Sequence, residues 1–234
     1  MLRRAGSPPP TLLSSSPMAP DLRIADLPPT VYLFPVDRFI LLPETTLPMT
    51  ITDPRSQDLL ETAKGTSGYL GIIQARQQKQ GSDSRFFDVG CLGRIRSLAR
   101  EEEGLRVTLE GLIRFRVREE LAGGDLPQAA VAYEEFERDL LAVEEDLEGW
   151  DLEGFKAALL RIGRIQSGRD TTSLESMTSQ QLVRMMAQTA PLAAAEKQAL
   201  LETRSFRELL ELLFQLLALN FLTTTPDRSP SSAN

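Results

Sequence analysis

The sequence predicts an α+β fold, with a β-rich lobe over about 27–140 followed by a helical lobe over about 148–222. Three observations carry this. Apolar and charged residues alternate strictly along 105–118, the period of a strand with one covered face. After residue 148 the apolar spacing changes to steps of three and four, the period of a helix. Between these extremes of pattern, residues 31–55 hold three short apolar runs broken by Pro35, Pro43, Pro48 and Pro54. Proline donates no ladder hydrogen bond, so that stretch is limited to short or edge strands with tight bends.

The chain has 234 residues, 41% apolar and 25% charged, with a net charge of −7. That is enough chain for a real core, burying roughly 70% of its unfolded surface, in one large domain or two small lobes. The negative charge argues against a dedicated nucleic-acid binder. A lone cysteine, Cys91, excludes an internal disulfide and suits a reducing cytosol. Residues 1–26 are rich in proline and serine without an apolar h-region, and read as a disordered leader; Met18 is an alternative start. Residues 223–234 read as a frayed tail.

Taken in order, Arg55–Lys64 reads as a short helix with Leu59, Leu60 and Ala63 inward, ending at Gly65. Along 86–98, Val89, Cys91, Gly93 and Ile95 face in while Arg94 and Arg96 face out. Leu105, Val107, Leu109, Ile113, Phe115 and Val117 form the inward side of the next strand, opposite Arg106, Arg114, Arg116 and Arg118. Gly111 occupies an inward slot there, which marks a bulge or a close backbone approach. Ala130, Ala132 and Phe136, around Tyr133, are expected to close the sheet. In the second lobe Leu152, Phe155, Leu159, Ile162 and Ile165 line a first helix. Thr178 and Gln181 form a capping box before a second. Pro191 permits a third, with Leu192, Ala195, Leu200 and Leu201 inward. Ser205 and Glu208 are a further capping box before the leucine-rich 206–221, whose only polar stripe is Arg207, Glu208, Glu211 and Gln215. Four antiparallel helices result, and the last is a core helix, too short and too charged to cross a bilayer.

Several motifs together resemble the N-terminal, substrate-recognition domain of the Lon protease. They are Leu33-Phe34-Pro35, Leu41-Leu42-Pro43, Leu47-Pro48-Met49, Val89-Gly90 with Gly93 and Ile95, and Leu109, Gly111, Arg114 and Phe115. The run Glu196-Lys197-Gln198-Ala199-Leu200-Leu201-Glu202 adds a further match. The sequence departs from the family at Thr52 and Asp53, where an aromatic and a glutamate are usual. The resemblance covers about 30–221 and implies a PUA-like β pseudobarrel followed by a helical bundle. It further implies binding of polypeptide clients, or of a protease or chaperone partner, in a protein quality-control setting.

Catalysis has little to stand on. No Gly-Lys pair exists, so there is no Walker A loop. No histidine is available as a base, and one cysteine cannot cage zinc. No Ser–Lys protease signature is recognisable, and no cofactor is expected. Candidate peptide contacts are Phe34, Phe39, Trp150 and Phe155, each of which also suits the core. Arg94, Arg96, Arg114, Arg116 and Arg118 form a candidate anion-binding face for RNA or another anionic ligand, the alternative function. The same arginines also read as a solvated face neutralised by Glu101, Glu102, Glu103, Glu110, Glu119 and Glu120. The acidic stretch 134–153, with Arg138 its only base, reads as a connection between the lobes or a strip for a basic partner.

Overall fold

The computed structural model describes residues 22–37, 39–76, 85–122, 125–141, 147–157 and 176–224. Six strands form its centre: β1 (Thr30–Val36), β2 (Thr46–Ile51), β3 (Tyr69–Gln74), β4 (Val89–Glu101), β5 (Gly104–Leu121) and β6 (Gln128–Ala132). Helix α1 (Pro54–Thr66) lies between β2 and β3, and α2 (Ser179–Thr189), α3 (Ala194–Leu201) and α4 (Phe206–Thr224) follow the sheet.

The strands run in the order β2-β5-β4-β3-β1-β6, and β6 also pairs with β5, which closes the sheet on itself. All pairings are antiparallel except β1 with β3. The 18-residue β5 is the spine. On one side it carries β4. On the other its first half carries β2 and its second half β6. Closure removes most of the exposed edge that a six-stranded sheet would otherwise offer. The prolines sit where the ladder tolerates them. Pro48 lies on β2, at the end of the strand order. Pro35 lies past the point where β6, paired only with Thr30–Tyr32, stops covering β1.

The apolar face expected of β4 and β5 is covered, but the other face is not wholly solvated: Arg114, expected to face out, is itself buried, as is Leu92. Val89, Cys91, Ile95, Leu105, Val107, Leu109, Ile113 and Phe115 are all buried, and Val117 is partly so. Gly111 meets the expectation of a close approach. A Cβ there would stand 2.1 Å from the Leu42 carbonyl oxygen, and the ladder shifts register beside it, at Leu92/Gly93. Helix α1 buries Leu59, Leu60 and Ala63 as expected, but runs on to Thr66, past Gly65. Its start uses the departure noted above: Asp53 accepts from the Ser56 N–H at 2.9 Å as N-cap, with Pro54 opening the helix. Those bonds from Ser56 hold the Asp53 carboxyl below its ordinary range.

Three further expectations need correction. Strand β6 does close the sheet, but one register away: Ala129 and Val131 are buried, while Ala130 and Ala132 are only partly covered. Phe136 is buried from a 3-10 turn (Glu134–Leu140), not from a strand. Ala195 is exposed on α3, whose covered face is Lys197, Gln198, Leu200 and Leu201.

The Thr178–Gln181 capping box is present on α2. Ser205 Oγ accepts from the Glu208 N–H, whereas the Glu208 carboxylate reaches back to the Arg204 N–H instead of its own cap. Of the first predicted helix, 152–157 is helical; Leu159, Ile162 and Ile165 lie outside the described residues. Helix α4 buries Phe206, Leu209, Leu210 and Leu213, but Leu219 stays 59% exposed, so its cover is less complete than its composition suggests. No described helix is long and apolar enough to cross a membrane.

Candidate functional site

Where the helices meet the barrel, buried polar side chains do the joining. Gln188 of α2 accepts from the Leu42 N–H at 3.3 Å and the Thr45 hydroxyl at 2.8 Å, and donates to the Thr46 carbonyl at 3.1 Å. The amide thereby acts as a piece of backbone for the turn that precedes β2. Gln198 of α3 donates to the Val89 carbonyl at 3.1 Å and accepts from Gln74 of β3 at 3.2 Å. Lys197, 2% exposed, donates to the Ala187 and Gln188 carbonyls at the end of α2. A cation at a helix C-terminus is favourably placed, yet burial still pulls its pKa down to about 8. Glu196 closes the local pattern by accepting from the Ala193 N–H at 2.7 Å. Each polar residue in the 196–198 run therefore has a docking or capping task, and Leu200 and Leu201 fill the core.

The fourth joint is Arg114, whose side chain is 90% covered. Its guanidinium makes a two-point pair with Asp139, at 2.8 Å from Nε and 2.7 Å from Nη2. It also donates to the Leu201 carbonyl at 3.1 Å and to the Thr203 carbonyl beyond α3, and lies over the Phe136 ring. One side chain thus ties β5, the 3-10 turn and the end of α3 together.

Between these joints lies a groove of about 380 Å³. Leu42, Pro43 and Glu44 form one wall and Gln180, Arg184, Phe206 and Leu209 another. Arg114, Arg138, Asp139 and Leu141 run along the floor and rim, and Thr203–Ser205 closes the end. Leu141 is 54% exposed. The wall is held by an Arg184–Glu44 pair at 2.7 Å, with Arg184 also stacked on Phe206. Glu44 has a φ of 60°, and the Thr45 N–H bonds the Leu42 carbonyl at 3.3 Å. This is a turn with proline first and a left-handed residue second, a place that glycine normally takes. A second concavity, lined by Leu22, Arg23, Ile24, Glu137, Leu140 and Leu141, shares Leu141 with the groove.

None of the four aromatic candidates lines this groove. Phe34 is buried in the barrel and Phe39 is 51% exposed on the loop after β1. Trp150 and Phe155 both pack on Phe214 of α4, with ring centroids 5.0 Å apart. The arginine candidates do share one region of β4 and β5, but acids meet most of them. Arg94 and Arg96 both reach Glu110, and Arg116 pairs with Glu135. Arg118 is exposed farther along β5. Glu110 was among the expected partners; Glu135 and Asp139 come from the acidic stretch, which therefore supplies counter-ions to the barrel. Among the arginine candidates only Arg114 lines the groove. The sequence reading missed Leu141, Arg184, Arg204 and Phe206. The available signals were small: Leu140-Leu141 and Arg138 interrupting an acidic run, and Arg204 preceding a cap.

Cys91 is fully buried and its pKa is pushed well up by that burial, which fits a small core residue.

Comparison with known proteins places this architecture. The substrate-binding domain family of ATP-dependent protease La (LON) matches residues 30–218. The fold is similar to that of a Lon N-terminal domain protein from Xanthomonas campestris, at 22% identity and a TM-score of 0.53, over 81% of this chain and 97% of that one. It is also similar to the N-terminal domain of the Mycobacterium avium complex Lon protease, at 20% identity and a TM-score of 0.55, over 81% and 98% of the two chains. No curated protein matches the sequence. With a family match spanning most of the chain and a closed six-stranded sheet joined to C-terminal helices, the chain belongs to the Lon substrate-binding domain family.

Proposed function

We propose that this protein is a non-catalytic polypeptide-binding module that serves protein quality control or proteolysis, and that the groove between barrel and helices is its binding site. The observation that carries this is the groove's lining: Leu42, Leu141, Phe206 and Leu209 offer apolar contact beside guanidinium groups, a mixture suited to a peptide chain with its own side chains and amides. Strand addition at β2 is the weaker route, because Pro48 removes a donor from that strand. The absence of histidine from the sequence and the burial of the one thiol support a binding role over a hydrolytic one. The same unpaired, buried thiol fits a cytoplasmic setting. The PUA-like reading with RNA on the arginine face draws little support, since most of those guanidiniums already hold carboxylates. Among the aromatic candidates, exposed Phe39 remains available as an outlying contact.

The test is fluorescence anisotropy with labelled peptides cut from an unfolded client such as reduced casein. Saturable binding that Leu141→Asp weakens is the expected result. Leu141 is exposed, so the variant should fold. Binding untouched by that change, or none at all, would remove the groove from the reading.

A further inference from the structure

The lining of the groove holds four guanidiniums, Arg114, Arg138, Arg184 and Arg204, against two carboxylates, Glu44 and Asp139. The two carboxylates are already taken by Arg184 and Arg114. Arg138 and Arg204 form no ion pair among the described residues, and both are exposed. Two acids near Arg204 are engaged elsewhere. Glu208 accepts the Arg204 main-chain N–H at 2.8 Å. Glu135, which feels the charge of Arg204, is bound by Arg116 at 2.7 Å. In a chain of net charge −7, the groove lining is thus, among the described residues, a local reversal of sign.

The adjoining concavity differs. Across the Leu141 ridge it presents Leu22, Ile24 and Leu140, with one arginine, Arg23, and one glutamate, Glu137. Arg23 is held by Asp26 at 3.2 Å. One end of the combined surface is therefore cationic and the other apolar and close to neutral.

Building on the polypeptide-binding reading above, we infer that the surface selects segments in which apolar residues adjoin carboxylates. The acidic part lies at Arg138 and Arg204, and the apolar part crosses Leu141 toward Leu22 and Ile24. Charge complementarity of this kind acts on choice of partner and on encounter rate more than on raw affinity. Exposed pairs are individually weak, so two of them should favour an acidic segment over a neutral one by about tenfold at low salt, and added salt should shrink the preference.

The experiment uses three labelled peptides with one apolar half in common and a second half of glutamates, glutamines or lysines. They are titrated against the full chain and against the Arg138→Glu/Arg204→Glu double variant, with circular dichroism confirming that the variant folds. The glutamate peptide is expected to bind tightest to the native chain and the lysine peptide to the variant. Equal binding of all three peptides, weakened by Leu141→Asp, would overturn the charge selection and leave the polypeptide-binding reading standing. No binding of any peptide would overturn both. Displacement of the glutamate peptide by a single-stranded RNA at low concentration would show a general anion site and overturn the inference as stated.

Discussion

Asp139 holds Arg114 at three points: its Oδ2 accepts from the Arg114 main-chain N–H at 3.0 Å and from Nε at 2.8 Å, and its Oδ1 from Nη2 at 2.7 Å. The main-chain bond falls on the stretch of β5 that neither β2 nor β6 covers, between Gly111 and Arg116. The carboxylate therefore replaces a missing strand as acceptor and neutralises a buried cation at once. Removing it, as Asp139→Ala, strands both groups and should cost about 3–5 kcal/mol. Urea unfolding measures this. Replacing both partners by apolar residues, Arg114→Met with Asp139→Leu, should recover part of the loss, because the orphaned charge is then gone.

A matched pair of glycine substitutions separates close approach from simple flexibility. At Gly111 an added methyl meets the Leu42 carbonyl oxygen at 2.1 Å, and the obstacle is backbone that cannot rotate away. Gly111→Ala should destabilise by more than ~2 kcal/mol through forced displacement of the turn before β2. Gly65, inside α1, has nothing within 4 Å. Gly65→Ala should stabilise by about 0.5–1 kcal/mol through helix propensity alone. Thermal melts of the two variants should move in opposite directions.

Lys197 gives stability a signed pH dependence. Its folded pKa is lowered to about 8 by burial, whereas an unfolded lysine titrates near ~10.4. Between those values the unfolded chain binds more protons, so this residue makes stability rise with pH from about 8 upward. Cys91 and Tyr133 act in the opposite sense, since burial raises both pKa values. Their effects begin near the ordinary thiol and phenol ranges, ~8.5 and ~10. Native stability minus that of Lys197→Met, measured from pH 7 to 10, isolates the lysine and should slope upward.

The Cys91 thiol should resist modification. In native buffer a disulfide exchange reagent should react only on the timescale of unfolding, and fully within the mixing time in denaturant. Rapid labelling of the native protein would contradict its place in the core.

The barrel was legible because its strands have one covered face. Leu105 through Phe115 announce their register by alternation, and α1 by the spacing of Leu59, Leu60 and Ala63. Strand β6 was harder. With alanine at 129, 130 and 132, composition scarcely distinguishes the two faces, and the register read from it was off by one. The joints were illegible for a different reason. Gln188, Lys197 and Gln198 are polar residues whose burial is defined by carbonyls and amides far away in sequence. Asp139 could be paired with Arg114 only once the 3-10 turn after β6 was placed against β5. The groove shares this property: its walls come from the turn before β2, the 3-10 turn, α2 and α4, and no local pattern marks their meeting.

The pairing of Thr30 with Ala130 and of Val31 with Ala129 has a consequence in time. The β4–β5 hairpin closes over two residues, Glu102 and Glu103, and such hairpins form within about 1–10 μs. Strand β1 leaves the ribosome earliest of the six, yet one of its two flanks is not synthesised until β6. At ~5–20 residues per second, the intervening hundred or so residues take about 5–20 s to make. Through that interval Val31 and Leu33, buried in the finished barrel, lack the neighbours that Ala129 and the Pro127 carbonyl supply. A domain whose family is defined by handling polypeptides thus begins its own life as an exposed apolar segment awaiting its partner.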